Sequence, residues 1–321
     1  MPKVEAIEFH APVQILDNIE ISKRFPKWTP DKILEKTGIS QRRIARVNET
    51  AADLATEAAS KLFSRHEISS QCIDMLIFVS QSPNQLIPTT SCEIHASLGL
   101  RSDCGAFDVN QGCSGYLYGL MLAKSMIQSS SMKNILLLTG DTYSKIIDPE
   151  DASLLTLFGD GASASLIAKS SSERDVKIGP FLFGTDGSKA NYLHCYRDGF
   201  KKHSPDVDDY LSMNGAGIMS FTLDKVPSAI SMYLSRNELT LEDFDYVLLH
   251  QANKFILDKL YLKLLASEKG VISMSNYGNT VSTSIPCALS EMLVKQSNTP
   301  LRILLAGYGV GLSWGVTWVE V

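Results

Sequence analysis

Short apolar segments alternate with longer segments of helical periodicity along most of this 321-residue chain. Each apolar segment is bounded by polar residues or glycine, which is typical of buried strands. The four clearest are Asp74–Val79, Asn134–Thr139, Tyr246–Leu249 and Arg302–Ala306. Three amphipathic helices are predicted over Ala51–Phe63, Gly115–Ile127 and Lys254–Leu265. Thr50 is a candidate N-cap of the first helix. This alternation predicts an α/β fold with a largely buried mixed sheet.

The chain is long enough for one large domain or two closely packed halves. The strongest break in composition is the polar run Ser170–Asp175, which separates two α/β stretches of similar length. We therefore predict an N-terminal half over 1–170 and a C-terminal half over 171–321.

Charge and cysteine content exclude several classes of protein. The formal net charge of -5 argues against a nucleic-acid binder, which is usually strongly basic. The six cysteines form no C-x-x-C pair, so neither a zinc nor a redox motif is indicated. Their scatter suits a reducing compartment, and no apolar run is long enough to span a bilayer. We expect a soluble, cytoplasmic protein.

A candidate nucleophile lies in the segment Asp108-Val-Asn-Gln-Gly-Cys113-Ser-Gly. An apolar strand ends, Gly112 turns the chain, Cys113 follows and a helix begins. A thiol at a helix N-terminus is expected to have a lowered pKa, which favours the nucleophilic thiolate. The alternative is a buried structural cysteine, the commoner fate of free cysteine. The flanking glycines favour the catalytic interpretation.

Three further segments have the character of site loops. His250-Gln-Ala-Asn253 follows a strand, at the edge where α/β folds bind ligands. The segment containing Asn279 is rich in Asn, Gly, Thr and Ser and predicts a loop entering a helix. The closing run Ala306–Gly315 lacks the Gly-Lys-Ser/Thr ending of a phosphate loop. The alternative interpretations, in the same order, are a structural histidine with all its hydrogen bonds made, a plain turn and a glycine-rich hairpin.

Taken together, these segments resemble the 3-oxoacyl-[acyl-carrier-protein] synthase III (ketoacyl synthase III) family of thiolase-like condensing enzymes. The resemblance also includes Thr37-Gly-Ile39, Asn48-Glu-Thr50 and Phe158-Gly-Asp-Gly161, and it covers nearly the whole chain. It implies a thiolase-like fold of two similar α/β halves in five layers, αβαβα. It also implies a homodimer, with the site between the two halves.

The resemblance implies a role for each motif residue. Cys113 would accept the primer acyl group as a thioester. His250 and Asn279 would hydrogen-bond the carbonyl of a malonyl thioester and stabilise the enolate left by decarboxylation. The backbone N–H groups of Cys113 and Val310 would form the oxyanion hole. The expected substrates are acyl-coenzyme A or acyl-carrier-protein thioesters, and no cofactor or metal is expected.

Two positions depart from the family pattern. Lys32 and Ala152 stand where a tryptophan and an arginine usually clamp the adenine of coenzyme A. Neither side chain can stack on a purine as those do. This predicts that the primer arrives on an acyl carrier protein.

Substrate contacts are also expected from the family positions Ile87, Asn253, Lys254 and Phe255. Ile87 falls where the partner subunit often supplies a bulky residue, so a smaller residue suggests a longer or branched acyl group. Lys259 and Lys263 are candidates for docking an acidic carrier protein, or they are solvated residues of a helix.

Three rival functions remain at this point. An acyltransferase of the same fold would move the acyl group to a hydroxyl or amine without decarboxylation. A non-catalytic partner subunit would typically lack the cysteine, and a cysteine hydrolase would use Cys113 and His250 against water. The retention of His250 and Asn279 favours condensation.

Overall fold

The computed structural model describes residues 1–170, 176–197, 199, 209–294 and 300–321. The predicted boundary between the two halves falls at the edge of 171–175, which lie outside the described residues. The division into 1–170 and 171–321 therefore stays a prediction.

The described residues form strands and helices in alternation, numbered here in chain order. The strands are β1 (Pro2–His10), β2 (Gln14–Asp17), β3 (Gln41–Ile44), β4 (Met75–Val79), β5 (Gly105–Val109), β6 (Asn134–Asp141), β7 (Gly161–Lys169), β8 (Leu182–Thr185), β9 (Leu193–His194), β10 (Ser212–Met213), β11 (Tyr246–Leu249), β12 (Arg302–Gly309) and β13 (Ser313–Glu320). The helices are α1 (Asn18–Arg24), α2 (Pro30–Thr37), α3 (Ala51–Arg65), α4 (Thr90–Ser97), α5 (Gly115–Ser129), α6 (Ala152–Leu155), α7 (Gly215–Arg236), α8 (Lys254–Leu264) and α9 (Ser284–Val294).

Two mixed sheets carry the fold. The first has the strand order β1-β7-β6-β4-β5, with β4 parallel to both β5 and β6. The second has the order β11-β12-β13-β8, with β11 parallel to β12. The carboxyl ends of parallel strands are where α/β folds usually bind ligands. The loops after β5 and β11 are those that carry Cys113 and His250.

Helices separate and cover the two sheets. One apolar core contains side chains of α5 and α9 together with side chains of both sheets, so these two helices form the middle layer. A second core packs α3 and α4 on the first sheet. A third packs α7 and α8 on the second sheet. The result is the predicted five-layer αβαβα arrangement.

The predicted elements are present with small shifts at their ends. Tyr246–Leu249 is a strand with the predicted bounds, and the other three predicted strands differ by one to three residues at one end. Thr50 caps α3 as predicted, through a capping box with Asp53 in which both reciprocal hydrogen bonds form. No helix in the described part of the chain is long and apolar enough to cross a bilayer.

Candidate active site

Cys113 lies in a tight turn between β5 and α5. The turn is closed by a hydrogen bond of 2.7 Å from the Gly115 N–H to the Gly112 carbonyl, and α5 begins at Gly115. Cys113 therefore stands two residues before the helix, as the sequence predicts. Its side chain is 5% exposed and belongs to a small apolar cluster with Tyr143, Phe158 and Val281.

The glycines of β12 allow the backbone of the second half to pack directly against this turn. A Cβ added at Gly307 would lie 2.8 Å from the Ser114 Cα, and one at Gly309 would lie 2.9 Å from the Cys113 Sγ. A side chain at either position would force the Cys113 turn to shift. The closing segment is also a hairpin, since β12 and β13 pair antiparallel up to Gly309 and Ser313. The glycine run is therefore a hairpin, and its backbone packs closely against the Cys113 turn.

This close packing brings backbone donors to the sulfur of Cys113. Its own backbone N–H and that of Val310 hydrogen-bond to the thiol, and each lowers its pKa. These are the two amides predicted for the oxyanion hole. That role stays a prediction.

The predicted lowering of the Cys113 pKa is wrong for the free protein. Burial, followed by the nearby Asp141 carboxylate, raises the pKa of the thiol to about 12. Burial penalises the thiolate more strongly than the local N–H groups stabilise it. The resting nucleophile is therefore a neutral thiol at neutral pH.

His250 directly follows β11 and is 2% exposed. Its backbone N–H donates to the Ala306 carbonyl at 2.8 Å, which fixes it to β12. Burial lowers the pKa of His250 to about 3, so the imidazole is neutral at neutral pH.

The tautomer of His250 is assigned from its contact with Ser284, the first residue of α9. The Ser284 Oγ lies 2.6 Å from the imidazole Nδ1 and accepts a hydrogen bond of 3.4 Å from the Gln251 N–H. A hydroxyl can donate one hydrogen bond while it accepts another, and we assign Ser284 as the donor to Nδ1. The ring proton is then on Nε2, which becomes a neutral hydrogen-bond donor.

Asn279 is 4% exposed and is held by its own backbone. Its N–H donates to the Leu157 carbonyl at 2.9 Å, and its carbonyl accepts from the Gly159 N–H at 3.1 Å. The side-chain Oδ1 accepts from the Val281 N–H at 3.0 Å, which fixes the orientation of the amide. Its Nδ2 group makes no hydrogen bond to any described residue and is available as a donor.

Shared neighbours connect the three residues. The Tyr308 hydroxyl donates to the His250 carbonyl at 3.1 Å, and burial raises the Tyr308 pKa. Asn279 pairs with Phe158, which belongs to the same apolar cluster as Cys113. The structure thus brings the three predicted catalytic residues to one buried region between the two sheets.

Four further residues at this site were not predicted from the sequence. Besides Ser284, they are Gln81, Asp141 and Tyr143. The Asp141 carboxylate accepts from the Gln81 N–H at 2.8 Å and from the Ser282 hydroxyl at 2.5 Å, so it joins the two halves. Burial raises the pKa of Asp141 to about 7. Gln81 lies shortly after β4, and Asp141 is the last residue of β6. The expectation that site residues lie at strand ends, which singled out His250, applies to both of them as well.

The structure also places the residues that depart from the family pattern. Lys32 lies in the first turn of α2, and its Nζ donates to the Lys27 carbonyl at 3.3 Å. Ala152 begins α6 and is 7% exposed. Neither presents a flat surface to a purine. Ile87 is 86% exposed, so its predicted place against a partner subunit stays a prediction.

The predicted contacts on α8 have roles within the chain. The Asn253 side chain caps the helix by accepting from the Ile256 N–H at 2.9 Å. The side chain of Lys254 packs over Gly38 and forms an ion pair with Asp258. Substrate contact by Asn253 and Lys254 stays a prediction.

Phe255 and the two following lysines lie on the surface of the same helix. Phe255 is 47% exposed, and the Lys259 Nζ lies 4.7 Å from the centroid of its ring. The Lys263 Nζ instead donates to the Leu223 carbonyl at 2.8 Å. Both lysines are exposed, as carrier docking requires, but docking itself stays a prediction.

Within the described ranges, no three His, Cys, Asp or Glu side chains cluster as metal ligands. The prediction that no cofactor is needed stays a prediction.

Two family models match the chain. One, described as 3-oxoacyl-[acyl-carrier-protein (ACP)] synthase III, matches residues 107–187, and the model of its C-terminal part matches 234–321. The chain is 34% identical over 329 residues to the beta-ketoacyl-[acyl-carrier-protein] synthase III of Streptococcus sanguinis, covering 99% of each chain.

Solved structures agree with these matches. One titled 3-oxoacyl-(acyl-carrier-protein) synthase III is 41% identical, with a TM-score of 0.93 over 100% of this chain and 99% of the other. A 3-oxoacyl-(acyl-carrier protein) synthase from Burkholderia xenovorans is 33% identical, with a TM-score of 0.94 over 100% and 94%. These likenesses confirm the predicted thiolase-like fold.

Proposed function

The chain belongs to the 3-oxoacyl-[acyl-carrier-protein] synthase III family, and on that premise we propose how its own residues carry out a decarboxylative condensation. Cys113 takes an acyl group from a thioester, and a malonyl thioester, most simply malonyl-acyl carrier protein, extends it by two carbons. The product is a 3-oxoacyl thioester, the first intermediate of fatty-acid initiation or of a related specialised pathway. The enzyme is then an acyltransferase in the broad sense.

The observation that carries this proposal is the meeting of β12 with both catalytic loops. One strand packs its glycines on the Cys113 turn and accepts the His250 backbone N–H through the Ala306 carbonyl. Because β12 contacts both loops, it fixes the position of the nucleophile relative to the enolate-stabilising donor. A condensation needs this, since its two half-reactions share one active site.

The first half-reaction is transfer of the acyl group to sulfur. The Cys113 sulfur bonds to the thioester carbonyl carbon, the bond to the donor's sulfur breaks, and the thiol proton leaves with that sulfur. The pKa of about 12 means that the thiol loses its proton only as it attacks. The N–H groups of Cys113 and Val310 then stabilise the oxyanion of the tetrahedral intermediate.

The second half-reaction is decarboxylation of the extender. The His250 Nε2–H and the Asn279 Nδ2–H donate to the malonyl thioester carbonyl, on which negative charge develops as carbon dioxide leaves. Each such donor in a dry site contributes about 3 kcal/mol. A neutral imidazole suits this role because it donates without an unpaired buried charge.

The last step forms the carbon–carbon bond. The enolate carbon attacks the acyl carbonyl on Cys113, and the oxyanion forms at the same two backbone amides. Collapse of this intermediate breaks the carbon–sulfur bond, releases the 3-oxoacyl thioester and leaves a Cys113 thiolate that takes a proton from solvent. We propose that no metal or cofactor takes part, so a chelator should leave the rate unchanged.

The departures at Lys32 and Ala152 support a carrier protein as the primer donor. A buried alanine and a lysine engaged with the Lys27 carbonyl supply no adenine clamp. Acylation of Cys113 should therefore be faster from an acyl carrier protein than from the matching acyl-coenzyme A. The double substitution Lys32→Trp with Ala152→Arg should raise the rate of Cys113 acylation by acyl-coenzyme A and leave the rate with the acyl carrier protein unchanged. Equal rates from both donors in the unmodified protein would refute this assignment.

Two partners follow from the same proposal. The exposed Phe255, Lys259 and Lys263 provide a mixed apolar and basic surface for an acidic carrier protein. A second copy of the chain is proposed as the other partner, with the exposed Leu86 and Ile87 as candidate contacts. Sedimentation would test the homodimer, and charge reversal at Lys259 and Lys263 should raise the KM for carrier-bound malonyl without affecting malonyl-pantetheine.

The test of the reaction itself weighs intact protein and products. The protein is incubated with malonyl-acyl carrier protein and a panel of acyl donors, with Cys113→Ala in parallel. The expected result is one added acyl mass per chain at Cys113, followed by a product two carbons longer and carbon dioxide. Acylation without extension would favour transfer to a hydroxyl or amine, and no acylation with any donor would refute the catalytic role of Cys113.

A further inference from the structure

A cavity of about 690 Å³ lies beside the Cys113 turn. Val310, whose N–H bonds to the Cys113 sulfur, and Tyr143, which lies in the same apolar cluster as Cys113, both line it. Ligand pockets are usually about 300–1,000 Å³, so the volume suits an acyl chain attached to this sulfur. The cavity is also lined by Gln81 and Asn110, two amide side chains.

Gln81 is held in place from three sides. Its backbone N–H donates to the Asp141 carboxylate at 2.8 Å, and its side-chain Oε1 accepts from the Tyr143 hydroxyl at 2.8 Å. The same oxygen fills the space that a Cβ at Gly112 would need. The amide is therefore fixed against the residue that precedes Cys113, and it is not a freely rotating surface side chain.

This fixed amide lines the cavity and has unused hydrogen-bonding capacity. The Gln81 Nε2 makes one long hydrogen bond of 3.4 Å to the Asn110 Oδ1. Its second N–H, and the NH₂ group of Asn110, bond to nothing in the described part of the chain. Each amide oxygen accepts one hydrogen bond and keeps a further lone pair, so both side chains can donate to and accept from a bound polar group.

A purely hydrocarbon acyl chain would remove water from these amides without replacing its hydrogen bonds. Each polar group that such a chain covers without a partner disfavours its binding. A site built to bond a polar group therefore discriminates against the analogue that lacks it. We infer that the primer acyl group carries a hydrogen-bonding polar group close to its thioester carbonyl, and that a hydroxyacyl group is the chemical class selected by Gln81 and Asn110. This inference rests on the proposed function of Cys113.

The test compares three acyl-carrier-protein thioesters of equal acyl chain length: butanoyl, 3-hydroxybutanoyl and succinyl. The initial rate of Cys113 acylation is measured by intact mass for each one, without an extender. The unmodified protein should take 3-hydroxybutanoyl about tenfold faster than butanoyl, the ratio expected for one hydrogen bond. Gln81→Met, which keeps the length of the side chain, should reduce this ratio towards one.

The matched control is Gln85→Met, in the same cavity, where the amide donates to the Pro88 carbonyl at 3.2 Å. This variant should keep the hydroxyacyl preference. A butanoyl rate equal to or above the 3-hydroxybutanoyl rate in the unmodified protein would overturn the inference, and so would a preference for succinyl or one that survives in Gln81→Met. Absence of acylation with every thioester would overturn the proposed function of Cys113 and the inference with it.

Discussion

The assignment of the His250 tautomer to Ser284 predicts a specific defect when the hydroxyl is removed. Ser284→Ala takes away the group 2.6 Å from the imidazole Nδ1 and leaves a ring without a defined proton position. In part of the molecules the proton then moves to Nδ1, and the Nε2 donor to the malonyl thioester is lost. The substitution adds no atoms and lies at the start of α9, so the backbone should be unchanged.

The size of the effect follows from the burial of the site. Loss of one partner of a buried hydrogen bond costs about 1–3 kcal/mol, and about 1.36 kcal/mol corresponds to a tenfold change in rate. Decarboxylation should therefore slow by about 5- to 150-fold. The low pKa of His250, about 3, means that protonation near neutral pH cannot restore a donor at Nε2.

The two half-reactions separate this effect from a general disturbance. Carbon dioxide release from malonyl-pantetheine should fall in Ser284→Ala, while the rate of Cys113 acylation should be unchanged because it does not use His250 as a donor. Ser284→Thr retains a hydroxyl and should recover most of the activity. Ser290→Ala, at another buried serine of α9, is the matched control and should leave both rates unchanged.

Two results would refute the reasoning. If Ser284→Ala released carbon dioxide at the unmodified rate with an unchanged Tm, the hydroxyl would not set the tautomer. If both half-reactions fell equally, the effect would be structural and the assignment of Ser284 as a positioning residue would be wrong.

Three further predictions follow from the same site. Gly309→Ala would place a Cβ 2.9 Å from the Cys113 Sγ, and Cys113 acylation measured by intact mass should fall by about 100-fold; an unchanged rate would contradict the close packing. Val310→Pro removes the N–H at the sulfur and should slow acylation by about 10²–10³-fold, whereas Val310→Ala keeps this amide and most of the rate. Asp141 has a pKa raised to about 7, above its value in the unfolded chain, so its contribution to stability is present at acidic pH and is lost as the pH rises from about 4 to about 7. Asp141→Asn should flatten this part of the Tm–pH curve, and an identical curve would contradict burial of the charged form.

Several features of this protein were determined by short stretches of sequence. Tyr246–Leu249 is a strand because four apolar residues are bounded by polar ones, and no distant residue is needed to identify it. Thr50 caps α3 through Asp53, three residues away. The order and spacing of the Cys113, His250 and Asn279 segments identified the family, and with it the five-layer fold.

The electrostatics of the site depended on residues far apart in the chain. The position of Cys113 beside a helix N-terminus predicts a lowered pKa, but the packing of β12 and its neighbours buries the thiol and raises it. Burial is a property of the whole assembly of layers, and it penalises a charge whatever the adjacent residues are.

The details that control specificity were likewise decided only by the tertiary structure. Ser284 reaches His250 across 34 positions of sequence, and Tyr143 reaches Gln81 across 62. The sequence determined that polar residues follow the strands, because strand ends and loops are local features. Which of these residues hydrogen-bond one another depends on how the two sheets and their shared helical layer pack, since a hydrogen bond requires contact within about 3 Å.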